Sequence, residues 1–163
     1  MGKLFGTDGI RGVANETLTC HLAYRVGQAA AISLGSFEGK RPKVVIGKDT
    51  RRSGYMFEYA LVGGLVASGA DAYLLHVTTT PSVAYVVRTE DFDCGIMISA
   101  SHNPYYDNGI KLFNGQGEKM DEEVIGLVEE YLDGEVRAFG QKWTEAPYAH
   151  RESVGRTVDY VAG

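Results

Sequence analysis

Residues 43–77 read KVVIGKDTRRSGYMFEYALVGGLVASGADAYLLHV, and this stretch decides the fold class. It begins with a short β-branched run at 43–49, continues with apolar residues at helical spacing from Phe57 to Val66, and ends with a second apolar run at 71–77. The two short runs are typical of buried strands, and the segment between them is typical of a helix. Two strands joined by a helix pair in parallel, so the stretch predicts an α/β fold.

The same alternation continues on both sides of this unit. The predicted elements, in chain order, are a helix between Thr19 and Gly35, a strand at 43–49, a helix capped by Ser53, a strand at 71–77, a helix capped by Thr80 with Pro81 in its first turn, strands at 93–99 and 109–113, and a helix from Asp121 that ends at Gly134. The connection between the last two strands is too short for a helical crossover, which predicts an antiparallel pair. We therefore predict a mixed, mostly parallel sheet flanked by helices on both faces.

The periodicity predicts where this domain ends. It persists through residues 1–135, which we assign to one α/β domain, and it is lost from residue 136 onward. Residues 136–163 are predicted to be a linker and the truncated start of a segment that leads to a second domain. The last stretch of that segment, GRTVDYVAG at 155–163, is predicted to begin a helix.

Composition excludes several classes of protein. The net charge of −5 argues against nucleic-acid binding, which requires clustered Lys and Arg. No apolar run is long enough to predict a membrane span, and the first residues have no signal or transit pattern, so we expect a cytoplasmic protein. Cys20 and Cys94 have no metal-ligand spacing and are expected to be reduced.

Glycine is the unusual residue type, with 21 of 163 positions, and several glycines flank charged residues in three loops. These loops are GTDGIRG at 6–12, GKDTRRSG at 47–54 and SASHNP at 99–104. We expect them to meet outside the carboxyl ends of the parallel strands, where α/β sheets bind ligands. Glycine-flanked N–H groups and arginine forks suit a phosphate group.

Two of these loops have a simpler alternative interpretation. The loop at 6–12 has no spacing that is specific for a nucleotide, and it also fits a flexible turn. The loop at 47–54 also fits a solvated helix cap in which Asp49 pairs with Arg51 or Arg52.

Ser101 is the sharpest candidate, and three interpretations of it remain open. A hydrolase nucleophile needs a base, but the adjacent His102 would point away, and no G-x-S-x-G elbow surrounds the serine. An ordinary surface turn at Asn103-Pro104 is the second interpretation. The third is a phosphoserine on a stiff, exposed loop, with His102, Lys111 and Arg11 near the phosphoryl group.

Four motifs resemble one known family. The sequences FGTDGIRG, IGKDTRRSGYM, TTTPSVAYVVR and GIMISASHNPYYDNGIKLF occur in this order between residues 4 and 134. They are similar to the first domain of the α-D-phosphohexomutase superfamily, and within it most similar to the bacterial branch that acts on glucosamine phosphates. The resemblance implies an intramolecular phosphotransferase.

The resemblance also implies roles for individual residues. Ser101 matches the phosphoserine that gives its phosphoryl group to the sugar and takes one back, and Lys111 matches a proposed general acid/base. His102 and Arg11 match residues beside the phosphoserine. The residues expected to bind substrate or phosphate are Thr7, Arg11, Asn103 and Lys111.

Further expectations concern what lies outside the chain. Members of the superfamily bind one Mg²⁺ through the phosphoserine and three aspartates of a D-x-D-x-D-R loop, and no such stretch occurs in these 163 residues. Ser101 would thus be the only metal ligand here, through its phosphate, and the isolated domain is expected to be inactive. The resemblance implies a hexosamine phosphate substrate and a full-length homodimer. A phosphoglucomutase or phosphomannomutase domain, or a non-catalytic phosphosugar-binding module, remains an alternative.

Overall fold

The computed structural model describes residues 5–6, 9–35, 41–132 and 154–160. The elements are β1 (Ile10–Val13), α1 (Cys20–Ser33), β2 (Lys43–Lys48), α2 (Ser53–Ala67), β3 (Asp71–Val77), α3 (Thr80–Thr89), β4 (Cys94–Ile98), β5 (Asp107–Phe113), α4 (Glu122–Leu132) and β6 (Thr157–Asp159). Within these residues, no helix combines the length and the apolar character that crossing a bilayer requires.

The described strands form one sheet in the order β1-β5-β4-β2-β3-β6. Strands β4, β2, β3 and β6 pair in parallel, whereas β5 is antiparallel to both of its neighbours, β4 and β1. This confirms the predicted mixed, mostly parallel sheet, including the antiparallel pair across the short connection. The carboxyl ends of β2 and β4 therefore lie side by side at one edge of the sheet.

Helices cover both faces of the sheet, as predicted. The larger core lies on the face of α1, α2 and α4, and it includes Val26, Ile46, Leu61 and Ile96. A smaller cluster on the other face joins the α3 residue Val83 to residues of β2, β4 and β5. Burial on both faces explains why the central strands are continuous apolar runs.

The helix starts differ from the sequence prediction in two places. Thr19 caps α1 as predicted, because its hydroxyl oxygen accepts the Leu22 N–H at 3.1 Å. The prediction for Ser53 was wrong: Ser53 is the first residue of α2, and no side chain caps that helix. The cap of α3 is Thr79 and not Thr80, since the Thr79 hydroxyl accepts the N–H of Ser82.

The end of the chain also differs from its prediction. A helical start was expected at 155–163, but residues 157–159 form β6, which pairs with β3. Three extended residues beside an existing strand gain backbone hydrogen bonds that no local pattern reveals. The predicted domain boundary at 135 and the linker from 136 lie largely outside the described residues, so that division remains a prediction.

Both cysteines are free, as expected. Cys94 is fully buried in β4, and burial, followed by the charge of Asp93, raises the pKa of its thiol to about 12. A thiol with this pKa is protonated at neutral pH and is a poor nucleophile. Cys94 is therefore a packing residue.

Two glycines allow α1 and α2 to pack closely. A Cβ atom on Gly27 would lie 2.5 Å from the carbonyl oxygen of Leu61, and one on Gly64 would overlap the carbonyl oxygen of Tyr24. The two backbones touch where these residues meet. The neighbouring Gly63 differs, because its Cβ would meet only the Tyr24 ring at 3.5 Å, an ordinary contact.

Gly64→Ala is expected to destabilise the chain by about 3 kcal/mol, because the added methyl group must push two helix backbones apart. Gly63→Ala in the same helix is the matched control, and it should stabilise the chain by about 0.5–1 kcal/mol through helix propensity. Urea titration followed by circular dichroism measures both free energies of unfolding. Equal effects of the two substitutions would contradict the close helix contact.

Candidate active site

Ser101 lies on a short turn between β4 and β5. Its side chain is exposed, and its backbone φ is 57°, one of four positive values for residues other than glycine among those described. The Ser101 N–H donates to the Ser99 hydroxyl at 3.0 Å, and the Asn103 N–H donates to the Ala100 carbonyl at 3.0 Å. A left-handed serine costs about 1 kcal/mol or more and is often found at functional sites. The turn is thus a strained conformation that its surroundings must hold.

The loop after β2 holds this turn through Arg51. The Arg51 Nη2 donates to the carbonyl oxygens of Ser101 at 3.1 Å and Asn103 at 2.7 Å, while its Nη1 pairs with the Asp49 carboxylate. The Arg51 side chain is only 10% exposed. The expectation that the loops at 47–54 and 99–104 meet is confirmed. The alternative interpretation of this loop was right that Asp49 pairs with Arg51. It was wrong that the pair is solvated, because the two side chains are mostly buried.

Arg51 was missed as a site residue in the sequence analysis. The available signal was the Asp-x-Arg spacing directly after a strand, which lets one aspartate accept from both the arginine backbone and its guanidinium. Without the strand order, this spacing predicts only a local pair. The contact with Ser101 depends on β2 and β4 being neighbours.

Arg11 lies on β1, which is separated by β5 from the strand β4 that leads into the Ser101 turn. It lies opposite Gly109 of β5, and a Cβ on Gly109 would come within 2.7 Å of the Ser99 carbonyl oxygen and 3.0 Å of Arg11 Cγ. The absence of a side chain at Gly109 therefore lets the exposed Arg11 stem pack against β5, close to the Ser99 carbonyl. Thr7, predicted in the same loop, lies outside the described residues.

Of the other predicted residues, His102 and Asn103 belong to the turn, whereas Lys111 lies on β5. His102 is exposed beside Ser101. Asn103 donates through its side chain to Asp107 at 3.4 Å, so its described contacts brace the turn. Lys111 lies on β5 opposite Met97, and its Nζ is 5.6 Å from the centre of the Phe113 ring. Their roles toward a ligand stay predictions.

A buried polar cluster lies beneath the loops. Lys48, the last residue of β2, is 1% exposed, and its Nζ lies 3.0 Å from Oε1 of Glu58 in α2, which is 2% exposed. Buried Asn108 of β5 donates to the Ser53 hydroxyl at 2.9 Å and accepts from the Gly109 N–H at 2.8 Å. The cluster ties the end of β2 and the start of α2 to the start of β5.

The site residues fit only part of a metal site. Among the residues described, no three His, Cys, Asp or Glu side chains come together so that they could hold a cation. Ser101 Oγ is exposed, so a phosphoryl group on it would be accessible to a cation from outside the domain. This fits a single ligand supplied by a phosphorylated Ser101.

The chain is similar to known proteins over its whole length. Residues 2–137 match the family model for phosphoglucomutase/phosphomannomutase, alpha/beta/alpha domain I. A phosphoglucosamine mutase of Lachnospira eligens is 66% identical over 100% of this chain and 35% of its own length, and one of Streptococcus pneumoniae is 48% identical with the same coverage. The chain thus spans about a third of the curated relatives that it matches.

Solved structures agree with the fold. A phosphoglucomutase/phosphomannomutase family protein of Burkholderia thailandensis superimposes with a TM-score of 0.74 at 24% identity, over 97% of this chain and 33% of that protein. At this identity the likeness supports the architecture alone. The family match over most of the chain, together with the fold, shows that this chain belongs to the phosphoglucomutase/phosphomannomutase family and contains its alpha/beta/alpha domain I.

Proposed function

We propose that this chain is the first domain of a phosphoglucosamine mutase and that Ser101 carries the phosphoryl group. The observation that carries the proposal is the exposed, left-handed Ser101 on a turn braced by Arg51. A rigid, accessible hydroxyl at the carboxyl edge of a parallel sheet is what a phosphoryl carrier requires. Relatives at 66%, 62% and 52% identity are all named phosphoglucosamine mutase, which supports the choice of substrate.

In the proposed reaction, the phosphoryl group moves twice. The bond between phosphorus and Ser101 Oγ breaks as the free sugar hydroxyl bonds to phosphorus, and the hydroxyl proton passes to a base. The sugar then carries two phosphates. In the second transfer Oγ takes the other phosphoryl group, and the released sugar oxygen takes a proton, so glucosamine 6-phosphate becomes glucosamine 1-phosphate without another reactant.

The chain's own residues have distinct parts in this proposal. Lys111 is the proposed acid or base, and Arg11 is the cation proposed to balance the phosphoryl charge. His102 and Asn103 would contact the phosphate or the sugar hydroxyls, as would Thr7. Mg²⁺, held through the Ser101 phosphate and by ligands outside this chain, would neutralise charge on the transferring oxygens.

The isolated domain is proposed to be inactive, because phosphoryl transfer depends on positioning both ends of the substrate. We also retain a cytoplasmic location and a full-length homodimer as parts of the proposal. The family description names phosphoglucomutase and phosphomannomutase, so a hexose phosphate is the second candidate substrate.

A substrate comparison on the complete polypeptide tests the proposal. With Mg²⁺ present, we expect kcat/KM for glucosamine 6-phosphate to exceed that for glucose 6-phosphate and mannose 6-phosphate by about tenfold or more, as expected where an amino group is recognised by polar contacts. Addition of a chelator is the control and should abolish turnover. A preference for glucose or mannose phosphate would assign the second candidate, and turnover of none of the three would indicate a non-catalytic module.

A further inference from the structure

Asp49 holds both the backbone and the side chain of Arg51. The Asp49 N–H donates to the Ile98 carbonyl of β4 at 3.1 Å, which extends the parallel ladder by one residue. The Asp49 carboxylate accepts the Arg51 N–H at 3.0 Å and pairs with the Arg51 guanidinium. The position of Arg51 is therefore fixed relative to the sheet through Asp49.

The acceptors of Arg51 Nη2 are two main-chain carbonyl oxygens of the turn, one on each side of His102. One Nη2 group donates to the carbonyls of residues 101 and 103, which fixes the peptide units that follow Ser101. The Arg51 Nε is buried and has no acceptor within the part of the chain that the structure describes. The position of the guanidinium is thus determined by the turn and by Asp49.

We propose that Arg51 is a positioning residue for phosphoryl transfer: its guanidinium, oriented by Asp49, holds Ser101 in the left-handed conformation that places Oγ for both transfers. This inference rests on the proposed function of Ser101 as the phosphoryl carrier. Arg51 itself has no contact with the substrate in this proposal. Its charge is used to bind two carbonyl oxygens, and a lysine ammonium lacks the planar fork that bonds Asp49 and both carbonyls together.

Arg51→Lys in the complete polypeptide tests the proposal. We expect kcat to fall about 100-fold, as a displacement of the reacting oxygen by about 1 Å would cause, while KM for the sugar phosphate changes less than about threefold. Amide hydrogen exchange at residues 101–103 should become at least about tenfold faster, because the turn loses its brace. Arg88→Lys, on an exposed arginine in the last turn of α3, is the matched control and should change neither quantity.

Each outcome of the experiment decides the proposal. A kcat within about twofold of the parent enzyme, or unchanged exchange at the turn, would overturn the role of Arg51 even if Ser101→Ala is inactive. If Ser101→Ala retained turnover, the function proposed for Ser101 would fail instead. Should Arg51→Lys not fold, Asp49→Asn leaves Arg51 in place and removes only the charge that orients it, and an unchanged kcat in that variant would also overturn the proposal.

Discussion

Ser101→Ala in the complete polypeptide is expected to lower kcat by at least about 10³-fold, because the variant has no oxygen to carry the phosphoryl group. The turn itself should persist, because the described hydrogen bonds of residue 101 use its main-chain N–H and carbonyl oxygen, which the substitution leaves in place. Steady-state kinetics with glucosamine 6-phosphate measures the loss. Intact mass of the parent enzyme should show an added ~80 Da that the variant lacks.

Ser33→Ala is the matched control for this prediction. Ser33 is the last residue of α1, which leads to the amino end of β2 and not to its carboxyl end. Its hydroxyl is buried without a hydrogen-bond partner among the described residues. Loss of that hydroxyl should leave turnover and the added mass unchanged. Full turnover by Ser101→Ala would refute the phosphoserine mechanism and leave the fold assignment intact.

Glu58→Gln is expected to destabilise the chain by about 3–5 kcal/mol, the usual effect of breaking a buried ion pair. The substitution keeps the shape of the side chain but leaves the Lys48 ammonium buried without its counter-charge, with the centre of the Tyr55 ring 4.4 Å from Nζ. The pair itself need not be strongly stabilising, because two charges were removed from water to form it. The double variant Lys48→Met/Glu58→Leu should therefore regain most of the lost stability.

An exposed pair provides the control. Glu122 of α4 lies 3.4 Å from Lys119, with the two side chains 78% and 51% exposed. Water screens this pair, so Glu122→Gln should change the free energy of unfolding by less than about 0.5 kcal/mol. Urea titration of all variants measures the difference. If Glu58→Gln had no larger effect than Glu122→Gln, the pair at Lys48 would not be buried as the structure places it.

The sequence was sufficient for features that repeat locally. The apolar runs at 43–49 and 71–77 predicted β2 and β3, because burial on both faces leaves a continuous apolar run. The helical spacing between them predicted α2, because burial on one face leaves a period in the chain. The short connection after β4 predicted the antiparallel β5. The glycine loops and the turn at Ser101 were predicted because sharp turns need particular residue types.

Only the tertiary structure decided which residues touch across the sheet. The neighbouring positions of β2 and β4 bring Arg51 to the Ser101 turn, and the packing of α2 under the sheet buries Glu58 against Lys48. Neither contact can be predicted from the local sequence, because the sequence around a charged residue after a strand is the same whether its side chain faces water or another loop. Strand β6 also depends on the tertiary structure, because three residues form a strand only where the edge of a sheet is available to pair with them. Periodicity records which face of an element is buried, whereas a pairing between distant residues depends on strand order and register, which the chain acquires only on folding.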